Sequence, residues 1–499
     1  MGTTMGYFIL SFVLSISVAL AKVPAKVDVV IIGAGLSGLA TAYELKKAGV
    51  PYQILELTPR IGGRVRTVRY QRAGSPELYA DSGMEEYWES NPAVKMLKEL
   101  GLKTRSDFAA SSLVLDKHLE ILGAGEDTES FLKRIFTPAD LASLETFKTK
   151  VAPMIARIHS GDAIAADLMK LKDVAFSEWV ASQGVPKRVA EWIRISIECE
   201  IGTQWDRLSA LDGIAEFHIF LGKGEPSYRV VGGNEKFTDA VSTTVGSDRI
   251  SVNTRVNRIE TKGNEVLVTY LDQATNHSGV VRAKHVVSTI PLYRLFEVQF
   301  VPALSDRKRE AIATQTWGSY FKAHIFVPSD AKRFWSKNGT PYMPILSDSE
   351  LGVIYEGNPD QDTKTKIVSL LVTGDQAEAF NMLPLDKVRE NIKAGFDRLW
   401  PGFAQEIKDI EFYRFHPRAI AGWPVGRSRF DELSDEVRRP ENHVYLAGDF
   451  TEGTHSSGAF ESAFRVSKQI IAQEHAAPAQ RLGRSKKREP QRQNAAAHE

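Results

Sequence analysis

Three glycines, a carboxylate and two arginines near the start of the chain have the spacing of a phosphate cradle. Gly33, Gly35 and Gly38 follow the apolar run Val27 to Ile32, and Glu56 stands 18 residues beyond Gly38. The first glycine makes a tight turn, the second leaves room for a pyrophosphate, and the third lets the following helix pack closely on the strand. The helix start adds backbone N–H donors and partial positive charge, and a carboxylate at that distance can hold a ribose hydroxyl pair. An ordinary strand-to-helix loop needs none of these features, so a dinucleotide is the expected ligand. A nicotinamide cofactor would need this unit alone. Here Arg60, Gly62, Gly63 and Arg64 come soon after Glu56, placing pliable backbone and cations where a larger, doubly phosphorylated ligand would continue. Far downstream, Ala447-Gly448-Asp449 precedes a second helix start, which could stabilise negative charge on a reduced isoalloxazine ring. FAD fits this set better than NAD, and no metal is expected.

The elements that must hold these residues read as follows. Val27 to Ile32 has the length and β-branched content of a strand buried on both faces, Leu36 to Ala48 has helical spacing, and Tyr52 to Leu55 is a second strand. From Phe136 to Glu198 several amphipathic helices are expected. Arg249 to Leu271 reads as alternating strands turned at Lys262-Gly263-Asn264, and His285 to Pro291 as a buried strand. Gly458, Ala459, Ser462 and Ala463 form a small-residue face on a C-terminal helix.

Composition narrows the class. A chain of 499 residues, 43% hydrophobic, is globular and large enough for two or three domains. A formal net charge of +1 offers nucleic acid no general attraction. The last twenty residues carry six basic and two acidic side chains, so the rest of the chain sits near −3, and this tail reads as disordered. The single cysteine, Cys199, excludes an internal disulfide framework. At the other end, Met5 to Ala21 is an uncharged apolar run ending in the small-x-small site Ala19-Leu20-Ala21. It has the length of a secretory signal and is short for a membrane span. Because no Lys or Arg precedes it, an uncleaved anchor stays as the alternative to export into the periplasm or medium. Two glycosylation sequons, at Asn276 and Asn338, have meaning only in a eukaryotic secretory pathway.

The chain resembles the flavin-containing amine oxidase family: monoamine, polyamine and L-amino-acid oxidases. The resemblance spans roughly Lys26 to Gln473 and is strongest at its two ends. At the front, the family's glycine fingerprint, ribose-binding glutamate and R-x-G-G-R segment match Gly33, Gly35, Gly38, Glu56, Arg60, Gly62, Gly63 and Arg64. "YADSGMEEYWES" is similar to its stretch beside the flavin, with Asp81 and Gly83 in register, and Val256 lies where its backbone would meet the adenine. At the back, "VYLAGDFTEGTHSSGAFESAF" is similar to its closing segment. There Gly448 and Asp449, with Ser457, Gly458 and Ala459 at the helix start, would hold the ribityl chain and the pyrimidine edge.

The resemblance also implies a site of chemistry. Family members carry a lysine hydrogen-bonded through water to the flavin's N5 atom, and Lys322 in "TWGSYFKAHIFV" matches it. A lysine in so apolar a strand costs desolvation unless it has a purpose or a way out to water. The competing reading puts Lys322 on the solvent face by simple alternation. Many members sandwich the amine between two aromatic rings; Trp423 would be one wall, and His455 or a neighbour stands at the other. A histidine there could stack, hydrogen-bond or titrate near neutral pH, or be an ordinary helix-start residue. No cysteine lies just before Trp423, where some members attach the flavin, so FAD should be held noncovalently. Glu85 and Glu86 replace smaller or aromatic residues and could face a cationic substrate tail or be plain loop carboxylates.

The expected architecture is an α/β protein. A Rossmann-like FAD domain is assembled from residues 26–102, 228–295 and 423–475, with a substrate domain of helices and mixed sheet from 103–227 and 296–422. Residues 1–21 would be the signal and 476–499 the basic tail. The expected reaction is oxidation of an amine's C–N bond to an imine with O2 as acceptor, releasing H2O2. Two rivals stay open: a carotenoid-type desaturase or isomerase acting on C–C bonds, and an FAD-binding protein without catalysis. The substrate's side chain and the oligomeric state are not legible.

Overall fold

The structure, a computed structural model, describes residues 23–72, 74–107, 110–221, 225–414 and 417–485. The apolar N-terminal segment and the end of the basic tail therefore lie outside the described residues. Five strands form a wholly parallel sheet in the order Ile250–Ser251, Tyr52–Leu55, Val29–Ile32, His285–Ser288, Val444–Leu446. The three central strands are buried on both faces, and the middle one, Val29–Ile32, is accordingly a continuous β-branched run instead of an alternating one. Ile32 lies opposite Leu55 and Ser288, so these strands end level. Beyond their carboxyl ends sit Gly33, Glu56 and Thr289, the edge at which parallel sheets take ligands. The helices Leu36–Lys47 and Ser456–Ser485 pack side by side on one face, sharing a core with Phe237 and Val287. The last helix runs to Ser485, six residues into the twenty-residue tail that reads as disordered.

A second, seven-stranded sheet has Tyr320–Pro328 paired antiparallel with Thr365–Thr373 on one side and Asp409–Tyr413 on the other. Phe321, Ala323 and Ile325 point into a core with Phe380 and Phe396. Lys322 and His324 point the opposite way, and this face is also buried, because the strand Ser75–Asp81 covers it. Alternation therefore does not carry Lys322 to water; it is 1% exposed. A helical layer from Thr128 to Phe220 closes the far side, with Lys187–Ile201 and Ala210–Glu216 at its centre. A four-stranded sheet holds Val256, where the pairing of Thr254–Lys262 with Glu265–Asp272 shifts register between Val256 and Arg258.

Candidate functional site

The turn after the first strand is built as the spacing requires. Gly33 has φ +104°, and a Cβ there would fall 2.3 Å from Thr289 Oγ1; a Cβ on Gly38 would fall 2.0 Å from the Gly33 carbonyl oxygen. Around Gly35 the space is open, and its nearest neighbour across the turn is Gly63, whose own backbone is drawn in by Gly62 N–H donating to Ala34 O at 2.8 Å. The second glycine pair thus forms the other lip of the first cradle. Two helix starts meet there. Ser37 Oγ donates to Ala459 O at 2.9 Å, and Gly448 N–H donates to Ser462 Oγ at 2.9 Å, so the first and last helices aim their positive ends into one region. Gly458 is required at that meeting, since a Cβ would lie 2.3 Å from Gly453 O. At the head of the last helix Thr454 Oγ1 is buried without a partner, a donor left for a ligand. Ser457 lies in its first turn. Glu56 accepts from Ala34 N at 2.7 Å and from Thr58 N and Oγ1 at 2.8 and 2.7 Å, which fixes the carboxylate beside the cradle with lone pairs to spare. Thr254 N–H donates to Glu56 O at 2.7 Å, bringing the loosened ladder at Val256 alongside. An anionic dinucleotide as large as FAD fits this donor set.

Four residues expected at the cofactor are otherwise engaged. Arg60 turns its guanidinium onto the carbonyls of Ile61, Gly63 and Val65 and so braces the loop. Arg64 makes two hydrogen bonds to Asp449, at 2.8 and 2.6 Å, and a third to Ala419 O; Asp449 also accepts from Ala421 N at 3.1 Å. The pair clasps the front of the chain to its back. Asp81 uses its carboxylate on Thr67 Oγ1 at 2.6 Å and Asn234 N at 3.0 Å. Burial, with the nearby Glu85 charge, pushes its pKa up to about 7.

Lys322 is drawn into this network. Its ammonium donates to Asp81 O at 3.0 Å, Gly83 O at 2.7 Å and the Glu85 carboxylate, using all three protons. Glu85 also accepts from Tyr355 OH at 2.6 Å and stands 3.3 Å from Arg229. Burial pushes Glu85 up, but Lys322 and Arg229 outweigh it and hold the carboxyl below its usual range. Burial pushes the Lys322 ammonium below its usual value, against the upward pull of Glu85. Glu85 opens on a cavity of about 290 Å³ between the helical layer and the seven-stranded sheet, with Trp88, Phe131, Trp192 and Phe220 among its apolar walls.

The aromatic sandwich expected from Trp423 and His455 is not formed. Trp423 is 1% exposed, donates its indole N–H to Ser434 Oγ at 3.1 Å and packs with Leu292, Leu295 and Phe450, away from the cavity walls. Its size suits it to a core, and its one polar atom is satisfied there. His455 is neither a stacking partner nor a plain helix-start residue. Its Nε2 stands 3.2 Å from Glu216 and 3.6 Å from Glu200. Glu216 is also ion-paired to Arg429, whose backbone N–H donates to Asp212 at 3.2 Å. Glu200 lines the cavity. Nothing local in the sequence marks this cluster beyond two carboxylates, Glu198 and Glu200, inside the otherwise apolar end of a helix.

Burial pushes the His455 imidazolium down, but Glu216 and Glu200 outweigh it and raise its pKa from 6.5 to about 9. A raised folded-state pKa gives stability that is fully present below pH 6.5 and is lost as pH climbs through about 9. The span corresponds to on the order of 3 kcal/mol. Melting temperatures taken from pH 6.5 to 9.5 should fall for the wild type and stay flatter for His455→Gln; parallel curves would refute the ion pair.

The sequence profile of the family described as flavin containing amine oxidoreductase matches residues 36–471. Among curated proteins, "Probable flavin-containing monoamine oxidase A" of Dictyostelium discoideum is 22% identical over 468 residues, 89% of this chain and 97% of that protein. L-amino acid oxidase Bs29 of Bothriechis schlegelii is 23% identical over 444 residues, 86% of each. Among solved structures, wild-type putrescine oxidase bound to putrescine superposes with a TM-score of 0.75 at 21% identity, and cyclohexylamine oxidase from Brevibacterium oxydans IH-35A with 0.73 at 18%. Each covers 90% of this chain and 99% of the other. No helix among the described residues is long and apolar enough to cross a membrane.

Proposed function

The chain belongs to the flavin-containing amine oxidoreductase family and is an FAD-dependent amine oxidase, and on that premise we propose which of its residues do the work. FAD, when bound, would supply a two-electron acceptor for the hydride equivalent lost from the carbon beside the amine nitrogen, with water hydrolysing the imine and O2 as the final acceptor giving H2O2. The chain's part is to hold, orient and shield.

Gly33, Gly35, Gly38, Gly62 and Gly63 form the pyrophosphate cradle, Glu56 receives the ribose, and Val256 offers backbone to the adenine. Gly448, Ser457, Gly458 and Ala459 bring the last helix start to the ring end. Asp81 and Gly83 serve through their carbonyls, which fix Lys322. Arg60, Arg64 and Asp449 act one step removed, keeping the two lips of the cradle in place. Lys322 supplies positive charge from behind the cavity wall, with Glu85, which lines the cavity, as its counter-ion. The observation that carries this assignment is the convergence of two helix starts on the open space at Gly35, together with a separate cavity lined by Glu85, the partner of Lys322.

Mixing the holoprotein anaerobically with a panel of amines, amino acids and polyamines should bleach the visible flavin band with at least one of them. A flavin that none of them bleaches would overturn the assignment. Acid precipitation should release the colour into the supernatant as intact FAD. Cys199 is the only cysteine, and burial pushes its thiol up to about 12, so it supplies no thiolate for a covalent link. Colour kept in the pellet would contradict noncovalent binding.

A further inference from the structure

The cavity has a charged end that oxidation of a simple amine does not use. Helix Lys187–Ile201 presents Ser196 and Glu200, one turn apart, to the cavity. Ser196 is 1% exposed and its hydroxyl has no hydrogen-bond partner, a buried polar group left unpaid unless something in the cavity meets it. Glu200 is likewise under-matched. Other cavity carboxylates have close partners: Glu85 has Lys322, Arg229 and Tyr355, and Glu86 accepts from Ser227 Oγ at 2.6 Å. Glu200 has only His455 Nε2, at 3.6 Å, among the described ion pairs, and His455 lies closer to Glu216. At and behind the cavity wall the described ion pairs set Asp212, Glu216 and Glu200 against Arg429 and His455, three carboxylates to two cations even with the imidazole protonated. Burial pushes the Glu200 carboxyl up, as an uncompensated charge at the edge of the interior requires.

A cation would complete this end. It is not the reacting nitrogen, which must shed its proton to be oxidised, because a neighbouring carboxylate would hold that proton in place. We propose that Ser196 and Glu200 bind a second ammonium group of the substrate, so that the amine oxidised is a diamine or longer polyamine held by the nitrogen that does not react. Phe131, Trp192 and Phe220 give its methylene chain an apolar wall. The inference rests on the amine-oxidase reading of the same cavity and deepens it.

The test compares diaminobutane with butylamine, which differ by that one nitrogen. Calorimetry on dithionite-reduced, anaerobic holoprotein measures binding without turnover. A charge-assisted hydrogen bond in a desolvated site predicts that diaminobutane binds about tenfold to a hundredfold tighter. Glu200→Gln should remove that advantage and leave butylamine within about twofold, and Ser196→Ala should remove part of it. Equal binding of the two amines by the wild type would overturn the proposal, as would a Glu200→Gln variant that weakens both alike. If Glu200→Gln does not yield folded holoprotein, Ser196→Ala decides, and an unchanged preference in it counts against the site. Bleaching of the oxidised flavin separates the two levels. If butylamine bleaches it and diaminobutane is not preferred, amine oxidation stands and this site falls. If neither these two nor any other member of the panel bleaches it, the amine-oxidase assignment falls, while the binding comparison still answers for Glu200.

Discussion

Lys322→Met slows the reaction of the reduced enzyme with O2 by about a hundredfold or more, the range set by loss of one positioned proton donor, and leaves anaerobic reduction by amine near the wild-type rate. Oxygen must gain protons as well as electrons, and on the proposed assignment Lys322, paired to the cavity carboxylate Glu85, is the charged group that assists their delivery. Methionine keeps the length and apolar stem and deletes only the ammonium. The fold should survive, because Glu85 keeps Arg229 at 3.3 Å and Tyr355 OH at 2.6 Å, so removing the lysine does not leave its carboxylate without a partner. Stopped-flow measurement of the two half-reactions separates the roles. If both keep wild-type rates, Lys322 is a structural lysine that ties Asp81, Gly83 and Glu85 together and does nothing more.

Arg429→Met costs about 3–5 kcal/mol of stability at neutral pH, the penalty of leaving buried carboxylates without their cation. Arg429, Glu216 and Asp212 are all nearly inaccessible to solvent. Arg429 and His455 together hold the Glu216 carboxyl well below its usual value of 4.5, against the upward push of burial. A depressed folded-state pKa gives stability that is present above pH 4.5 and is lost as pH falls. The penalty of the substitution should therefore be largest near neutrality and shrink in acid, where Glu216 takes up a proton instead. Denaturant midpoints of wild type and variant at two pH values check both parts. A difference of under about 1 kcal/mol at neutral pH, the size of an exposed pair, would show that the cluster is solvated.

The cradle was readable because its geometry is local. Gly33, Gly35, Gly38 and Glu56 fall within one strand-helix-strand unit, where spacing along the chain sets spacing in the fold. Lys322 was readable as part of a strand, but its surroundings were not, since the strand that covers it, Ser75–Asp81, lies some 240 residues earlier. Alternation distinguishes the two faces of a strand and does not say whether both are covered. Trp423 was misplaced for a similar reason. "AIAGWPVG" does not tell which side the indole takes, and its partner Ser434 comes after a further turn. Arg64 and Asp449 each sit in a cofactor-like motif, which suggests two separate ligand contacts; that they satisfy each other appears only when residues 385 apart meet. The cluster of Glu200, Glu216, Arg429 and His455 comes from four segments, and no short pattern could have announced it.

The order of strands in the parallel sheet has a consequence for biosynthesis. Val29–Ile32 is made first, yet one of its neighbours in the sheet is His285–Ser288, and the outer strand Val444–Leu446 comes nearly last. Ser37, at the start of the first helix, meets Ala459 and Ser462 of the last helix. A growing chain on the ribosome therefore carries its glycine turn for more than four hundred residues before the opposing helix start exists. Pairings of such long sequence separation form slowly, since loop entropy is lost before contacts repay it. A nascent fragment lacking the final helix has half of the proposed binding site, so flavin capture is expected only after that helix is made.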